Sequence, residues 1–69
     1  MKADDFNYNR TEWENFINQW IFNEEDRMML KRRLLDGVVF ERLAEEFHLS
    51  VQQTKTRVYR AQDRLFKHL

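Results

Sequence analysis

The stretch from Ser50 to Arg60 concentrates side chains that form directed hydrogen bonds and ion pairs. A glutamine amide can pair with two edge atoms of adenine, while threonine and valine methyl groups can contact a thymine methyl. Lysine and arginine can hold phosphates or guanine, and a serine at a helix start can join the backbone amides in binding a phosphate. The residues of this stretch with such chemistry are Ser50, Val51, Gln52, Gln53, Lys55, Thr56, Arg57 and Arg60.

A helix must position these side chains. Ser50 and Gln53 have the S-x-x-Q spacing of a capping box, which predicts a helix beginning directly after Leu49. No strong breaker follows, so we expect this helix over 50–67. The spacing of three or four residues between Thr54, Val58, Ala61 and Leu65 predicts that they share the inward face of this helix. The exposed faces then carry Val51, Gln52, Gln53, Lys55, Thr56, Tyr59 and Arg60. The Gln53 side chain has a competing role in the cap.

The preceding segment predicts a second helix over 40–47, which buries Phe40, Leu43, Ala44 and Phe47. Its start is weakly signalled, because Val39 stands where a serine or threonine cap is expected. The two helices are separated by only a short turn at His48 and Leu49. Such a connection is typical of a helix-turn-helix, here over 40–60, whose close helix crossing suits the small side chain of Ala44. The second helix of that motif enters the major groove of DNA.

The stretch DGVVFERLAEEFHLSVQQTKTRVYRAQDRL resembles the fourth conserved region of bacterial RNA polymerase sigma factors and related sigma-like helix-turn-helix proteins. The resemblance spans about residues 27–66 and implies a bacterial or phage transcription regulator that binds double-stranded DNA, with RNA polymerase as a further partner. The matching residues are Gly37, Phe40, Leu43, Ala44, Glu45, Glu46, Phe47, Leu49, Ser50, Lys55, Thr56, Arg57, Val58, Arg60 and Ala61.

The chain departs from the family pattern at several positions. His48 replaces the turn glycine, and histidine tolerates a left-handed backbone better than most residues. Thr54 replaces a buried valine or isoleucine. Val51 stands where the family often has an arginine, which weakens a guanine-reading or phosphate-binding role at that position.

Two more helices are predicted in the N-terminal half. Thr11 and Glu14 form a capping box, which predicts a helix over 11–22. Asn23 is a good cap for a helix over 24–35, because acidic residues fill its first turn and basic residues its last. Gly37 can take the left-handed conformation that closes this helix. The first helix carries one apolar face, formed by Trp13, Phe16, Ile17, Trp20 and Ile21.

These elements predict an all-α, four-helix domain over 11–69, preceded by a flexible arm over 1–10 from which Phe6 and Tyr8 fold back onto the first helix. The chain's length of 69 residues supports one domain with a small core. The predicted core consists of Trp13, Phe16, Ile17, Trp20, Leu30, Leu34, Phe40, Leu43, Ala44, Phe47, Leu49, Val58, Ala61 and Leu65.

Composition narrows the function classes. The chain has no cysteine, no apolar run near the roughly 18 residues that span a bilayer, and no signal-peptide pattern. We therefore expect a cytoplasmic protein without a membrane partner. Net charge is zero, but residues 1–36 carry −2 and residues 37–69 carry +2.

Enzymatic chemistry is poorly supported, and we expect no catalytic residue, metal or cofactor. His48 and His68 lack an obvious ligand partner at helical spacing. The adjacent acid pairs suit helix starts and surfaces rather than a general acid/base pair in a cleft. A single glycine cannot form a glycine-rich phosphate loop.

The alternative is a protein-interaction module that binds RNA polymerase or another regulator and makes little direct contact with DNA. The zero net charge, Val51 in place of arginine and the aromatic first helix favour this alternative. The apolar face of the first helix is expected to be core or a dimer seam. We expect either a homodimer, with the face formed by Trp13, Phe16 and Trp20 as its seam, or a monomer recruited by a larger complex.

Overall fold

The structure is a computed structural model that describes residues 8–68. Within these residues the chain forms four α-helices. They are α1 (Arg10–Trp20), α2 (Glu24–Leu34), α3 (Phe40–Phe47) and α4 (Val51–Phe66). Each helix lies within two residues of its predicted bounds, and no strand occurs within residues 8–68. The prediction of an all-α, four-helix fold is confirmed.

The start of α1 differs from the prediction. The Asn9 side chain accepts a hydrogen bond from the Glu12 amide at 2.9 Å, and the Glu12 carboxylate accepts one from the Asn9 amide at 3.4 Å. The capping box predicted at Thr11 is therefore wrong. The earlier start is favoured because it lets Tyr8 pack edge-on against the Trp13 ring, with the ring centroids 5.4 Å apart.

This earlier start also shortens the predicted arm. Arg10 already belongs to α1, and Tyr8 folds back onto the helix as expected. Phe6 and the rest of residues 1–7 lie outside the described residues, so the flexible arm stays a prediction there.

The two ends of α2 follow the predicted capping. The Asn23 side chain accepts a hydrogen bond from the Asp26 amide at 3.1 Å, and Gly37 adopts a left-handed φ of 67°. Arg27, in the first turn of α2, donates to the carbonyl of Asn18 at 2.7 Å and to that of Ile21. A guanidinium at the C-terminal end of α1 satisfies carbonyls that the helix leaves open and complements its dipole.

The core lies between α1, α2 and the pair formed by α3 and α4. Phe16, Trp20, Leu34, Phe47 and Leu49 were predicted to be core residues, but they are half-buried at its edge. Four of them belong to helices and Leu49 lies in the joint after α3, and a small domain has no further layer to cover them. The buried residues are Trp13, Ile17, Ile21, Met29, Leu30, Phe40, Leu43, Ala44, Thr54, Val58, Ala61 and Leu65.

Candidate nucleic-acid interface

The joint between α3 and α4 consists of residues 48–50. His48 adopts a left-handed conformation with φ 57° and ψ 41°. Its amide donates to the Glu45 carbonyl at 3.3 Å, and the Leu49 amide donates to the Ala44 carbonyl at 3.0 Å. This pair of bonds is the Schellman arrangement, which closes a helix in the left-handed conformation and satisfies its last carbonyls. Histidine thus takes the left-handed backbone conformation that glycine most often supplies at a helix end.

The first turn of α4 is fixed by the predicted capping box. The Ser50 hydroxyl accepts a hydrogen bond from the Gln53 amide at 3.0 Å, and Gln53 Oε1 accepts one from the Ser50 amide at 3.1 Å. This prediction is confirmed. It commits Gln53 Oε1 to the fold, so the Gln53 amide nitrogen is the group that remains for a ligand.

The predicted phase of α4 is also confirmed, because Thr54, Val58, Ala61 and Leu65 are all buried. Thr54 is fully buried, and its hydroxyl donates to the Ser50 carbonyl at 2.8 Å. This bond satisfies a polar group that would otherwise be buried without a partner.

The exposed face of α4 is narrower than predicted. Gln52, Gln53, Thr56 and Arg60 are exposed. Val51 and Lys55, which were also expected to be exposed, are half-buried because each lies three residues before a buried position. Val51 packs against the core. The Lys55 ammonium lies 5.7 Å from the centroid of the Phe40 ring.

Thr56 presents a particular chemistry on this face. Its hydroxyl donates to the Gln52 carbonyl one turn earlier, at 3.0 Å. The hydroxyl hydrogen is thereby used within the helix, and the exposed side chain offers a methyl group and oxygen lone pairs to a ligand. A methyl group of this kind suits contact with a thymine methyl.

Arg57 occupies a different environment from the other basic residues of α4. Its Nε and Nη2 donate to Asp26 Oδ1 at 3.1 and 2.8 Å, and its Nη1 donates to the Glu25 carboxylate. Burial lowers the pKa of Arg57, but the hydrogen bonds to Glu25 and Asp26 outweigh it and hold that pKa above its ordinary value. The structure therefore places Arg57, predicted as a DNA contact, in ion pairs with the first turn of α2.

Four of the predicted residues share an open groove of about 390 Å³ at the start of α4. Leu49 supplies an apolar wall beside the polar side chains. The groove is lined by Leu49, Gln52, Gln53, Thr56 and Arg57. The structure thus brings the glutamines, the threonine and Arg57 onto one surface.

A basic edge continues along α4 beyond this groove. Arg60, Arg64 and Lys67 follow one another at spacings of four and three residues, and all three are exposed. Arg64 and Lys67 were not among the predicted contacts, although their helical spacing from Arg60 could have identified them.

Aromatic contacts inside the monomer occupy most of the predicted homodimer face. Trp13 is only 5% exposed, with its ring 6.5 Å from that of Phe66, and is therefore core rather than seam. Trp20 stacks on His68 with the ring centroids 3.6 Å apart. Phe16 is half-buried. The largest apolar exposures are instead at Phe22, 70% exposed, and Met28, 54% exposed, neither of which the sequence patterns singled out.

Comparison with known proteins identifies no relative of the chain. No family model, curated protein or solved structure shows a significant match to the chain. Within residues 8–68, none of the helices combines the length and the apolar character needed to cross a bilayer.

Proposed function

We propose that the protein is a sequence-specific DNA-binding transcription regulator in which α3 and α4 act as a helix-turn-helix. The first two turns of α4 enter a major groove, and the observation that carries this proposal is the exposed face of Gln52, Gln53 and Thr56 on a rigidly capped helix. The opposite face of the same helix is buried in the core, so the polar residues are held at fixed positions. The resemblance to the fourth region of sigma factors supports the same arrangement.

The side chains proposed to contact DNA divide into two roles. Gln52, which the capping box leaves unengaged, is the residue placed to pair with adenine, and the Thr56 methyl group can contact a thymine. Lys55 and Arg60 hold phosphates of the DNA backbone. Ser50 and the first amides of α4 provide a further phosphate contact at a helix N-terminus.

A protein of this size inserts one helix and forms a modest interface, so useful affinity requires a second DNA-binding unit. We propose that this unit is RNA polymerase or a second copy of the chain. Because Trp13 is buried, a homodimer would use the half-buried Phe16 and Trp20 edge rather than the whole predicted seam.

The two roles predict two kinds of mutant. Gln52→Ala or Thr56→Ala should lose about 1–3 kcal/mol of binding free energy on the preferred site and flatten discrimination between sites, because a base contact is missing. Lys55→Ala or Arg60→Ala should weaken binding to all duplexes similarly and reduce the salt slope by about one for each phosphate that the variant no longer neutralises. The measurement is fluorescence anisotropy on a site selected from random duplexes and on unselected duplex.

Gln19→Ala is the matched control, because Gln19 is an exposed helical glutamine on α1. It should bind both duplexes like the parent. If all four α4 variants fold normally and also bind like the parent, α4 does not read DNA.

The protein-interaction module is the second candidate, and the exposed Phe22 and Met28 favour it. Exposed apolar side chains at the α1–α2 joint and on α2 suit contact with another protein. The test is binding of the protein to RNA polymerase. If the parent binds, Phe22→Ser does not and Gln52→Ala binds like the parent, this candidate is supported in place of DNA reading.

A further inference from the structure

The acidic first turn of α2 lies beside the candidate DNA-reading face. Glu25 and Asp26 hold the Arg57 guanidinium, and Arg57 lines the groove that also contains Gln53 and Thr56. The Glu25 side chain is 48% exposed, so its carboxylate faces both Arg57 and solvent. Carboxylates therefore adjoin the surface that a DNA backbone would approach.

Asp26 also adjoins the basic edge of α4. It lines a second depression of about 240 Å³ together with Arg60 and Arg64. The acidic turn thus lies between the groove at the start of α4 and the basic residues of its second half. A phosphate that approaches Arg57 meets two carboxylates already bound to the same guanidinium.

We propose that Glu25 and Asp26 compete with DNA phosphate for Arg57 and thereby make Arg57 a specificity-determining residue. The inference rests on the proposed function, because it concerns the balance of contacts on the same α4 face. Phosphate contacts strengthen binding to every sequence, whereas base contacts discriminate among sequences. By withholding Arg57 from phosphate, the acidic turn lowers affinity for all duplexes and raises the share that Gln52 and Thr56 contribute.

The same ion pairs also join α4 to α2, so a purely structural role must be distinguished. A structural clamp predicts that neutralising the acids lowers stability and leaves the number of neutralised phosphates unchanged. Competition predicts a higher number, since a released arginine can reach phosphate. The dependence of binding on salt separates the two, because its slope reports how many phosphates the protein neutralises.

The test is a double variant, Glu25→Gln with Asp26→Asn, which keeps the size of both side chains and removes their charge. The matched control is Glu24→Gln, since Glu24 is an exposed acid of the same turn and pairs with no cation within residues 8–68. A third protein adds Arg57→Gln to the double variant. Anisotropy on the selected site and on unselected duplex is measured between about 50 and 200 mM salt, with thermal unfolding as a check of folding.

The double variant should bind unselected duplex more tightly than the parent, with a salt slope steeper by about 0.9 because Arg57 neutralises one additional phosphate. Its preference for the selected site should fall, Arg57→Gln should abolish the tighter binding, and Glu24→Gln should leave the slope unchanged. An equally steep slope in Glu24→Gln would overturn the inference, because long-range charge would then explain the effect without release of Arg57.

Two other outcomes separate this inference from the proposed function. If the parent binds its selected site and the double variant shows the same slope and preference, competition for Arg57 is wrong while DNA reading stands. If neither protein binds any duplex, both proposals fail together.

Discussion

His48 is the residue at which the joint between α3 and α4 stores backbone strain. Its φ of 57° lies in the left-handed region, where the Cβ of an ordinary residue crowds the following carbonyl. Its side chain is exposed, so little packing offsets this strain. The Schellman bonds of His48 and Leu49 hold the residue in this conformation because they satisfy the last carbonyls of α3.

His48→Gly should therefore raise the free energy of unfolding by about 1 kcal/mol, because glycine adopts the left-handed conformation without the Cβ clash. Urea denaturation measures the change. Glu45→Gly, at an exposed position within the same helix, is the control and should lose roughly 0.5–1 kcal/mol. A loss of stability in His48→Gly would contradict the strain at His48, because relief of the Cβ clash would then be smaller than the conformational entropy that glycine loses on folding.

Single residues show where local patterns suffice for prediction. The Ser50 cap and the left-handed Gly37 follow from local spacing and are confirmed. The α1 cap was misplaced because Asn9 with Glu12 and Thr11 with Glu14 offer overlapping boxes of similar local quality. Packing of Tyr8 against Trp13 distinguishes them, and that contact depends on the folded chain.

At the scale of elements, a chain of ion pairs ties three helices together. Arg10 of α1 pairs at 2.8 Å with Asp36, which follows α2 and also pairs at 3.2 Å with Arg32. Arg32 pairs at 2.5 Å with Glu46 of α3. The hydrogen bond from Arg10 holds the pKa of Asp36 below its ordinary value, and that from Arg32 holds the pKa of Glu46 below its ordinary value.

These lowered pKa values predict acid sensitivity. A carboxyl whose folded pKa lies below its unfolded value stabilises the fold above the unfolded pKa, and the contribution is lost as pH falls through the folded value. The thermal midpoint should therefore fall on acidification from about pH 6 to about pH 3. The fall should be smaller in the double variant Asp36→Asn with Glu46→Gln, and smaller in high salt, which screens exposed charges.

Glu41→Gln is the control for this acid series, since Glu41 is exposed on α3 and forms no ion pair within residues 8–68. It should keep the pH dependence of the parent. If the double variant also keeps it, the ion pairs between these helices do not contribute measurably to stability.

Helix positions were predictable because each helix has a cap or a 3.6-residue apolar period in its own sequence. The partners of Arg57 were not predictable, because Glu25 and Asp26 lie 32 and 31 residues earlier in the chain. Helix phase separates Arg57, which lies three residues after Thr54 and four before Ala61, from the exposed Arg60, but it does not identify the partners of Arg57. Such long-range ion pairs depend on how α2 packs against α4, and only the structure shows them.

For the whole molecule, zero net charge conceals an uneven distribution. Residues 37–69 carry +2 while residues 1–36 carry −2, and the acidic first turn of α2 meets the basic helix α4 at Arg57. The apolar face of the first helix was predicted to be core or a homodimer seam. An apolar stripe indicates burial without indicating whether the buried partner is the same chain or another copy, and here Trp13 is buried within the monomer.

Contact between DNA and the first two turns of α4 is the interaction on which the proposed function depends most. Amide NMR spectra of the protein, titrated with a duplex selected from a random pool, test this contact directly. We expect the largest shift changes at Ser50–Thr56 and Arg60, with little change at Asn15 and Gln19 of α1. Changes confined to the surroundings of Phe22 and Met28, or none at a large excess of duplex, would contradict DNA reading by α4.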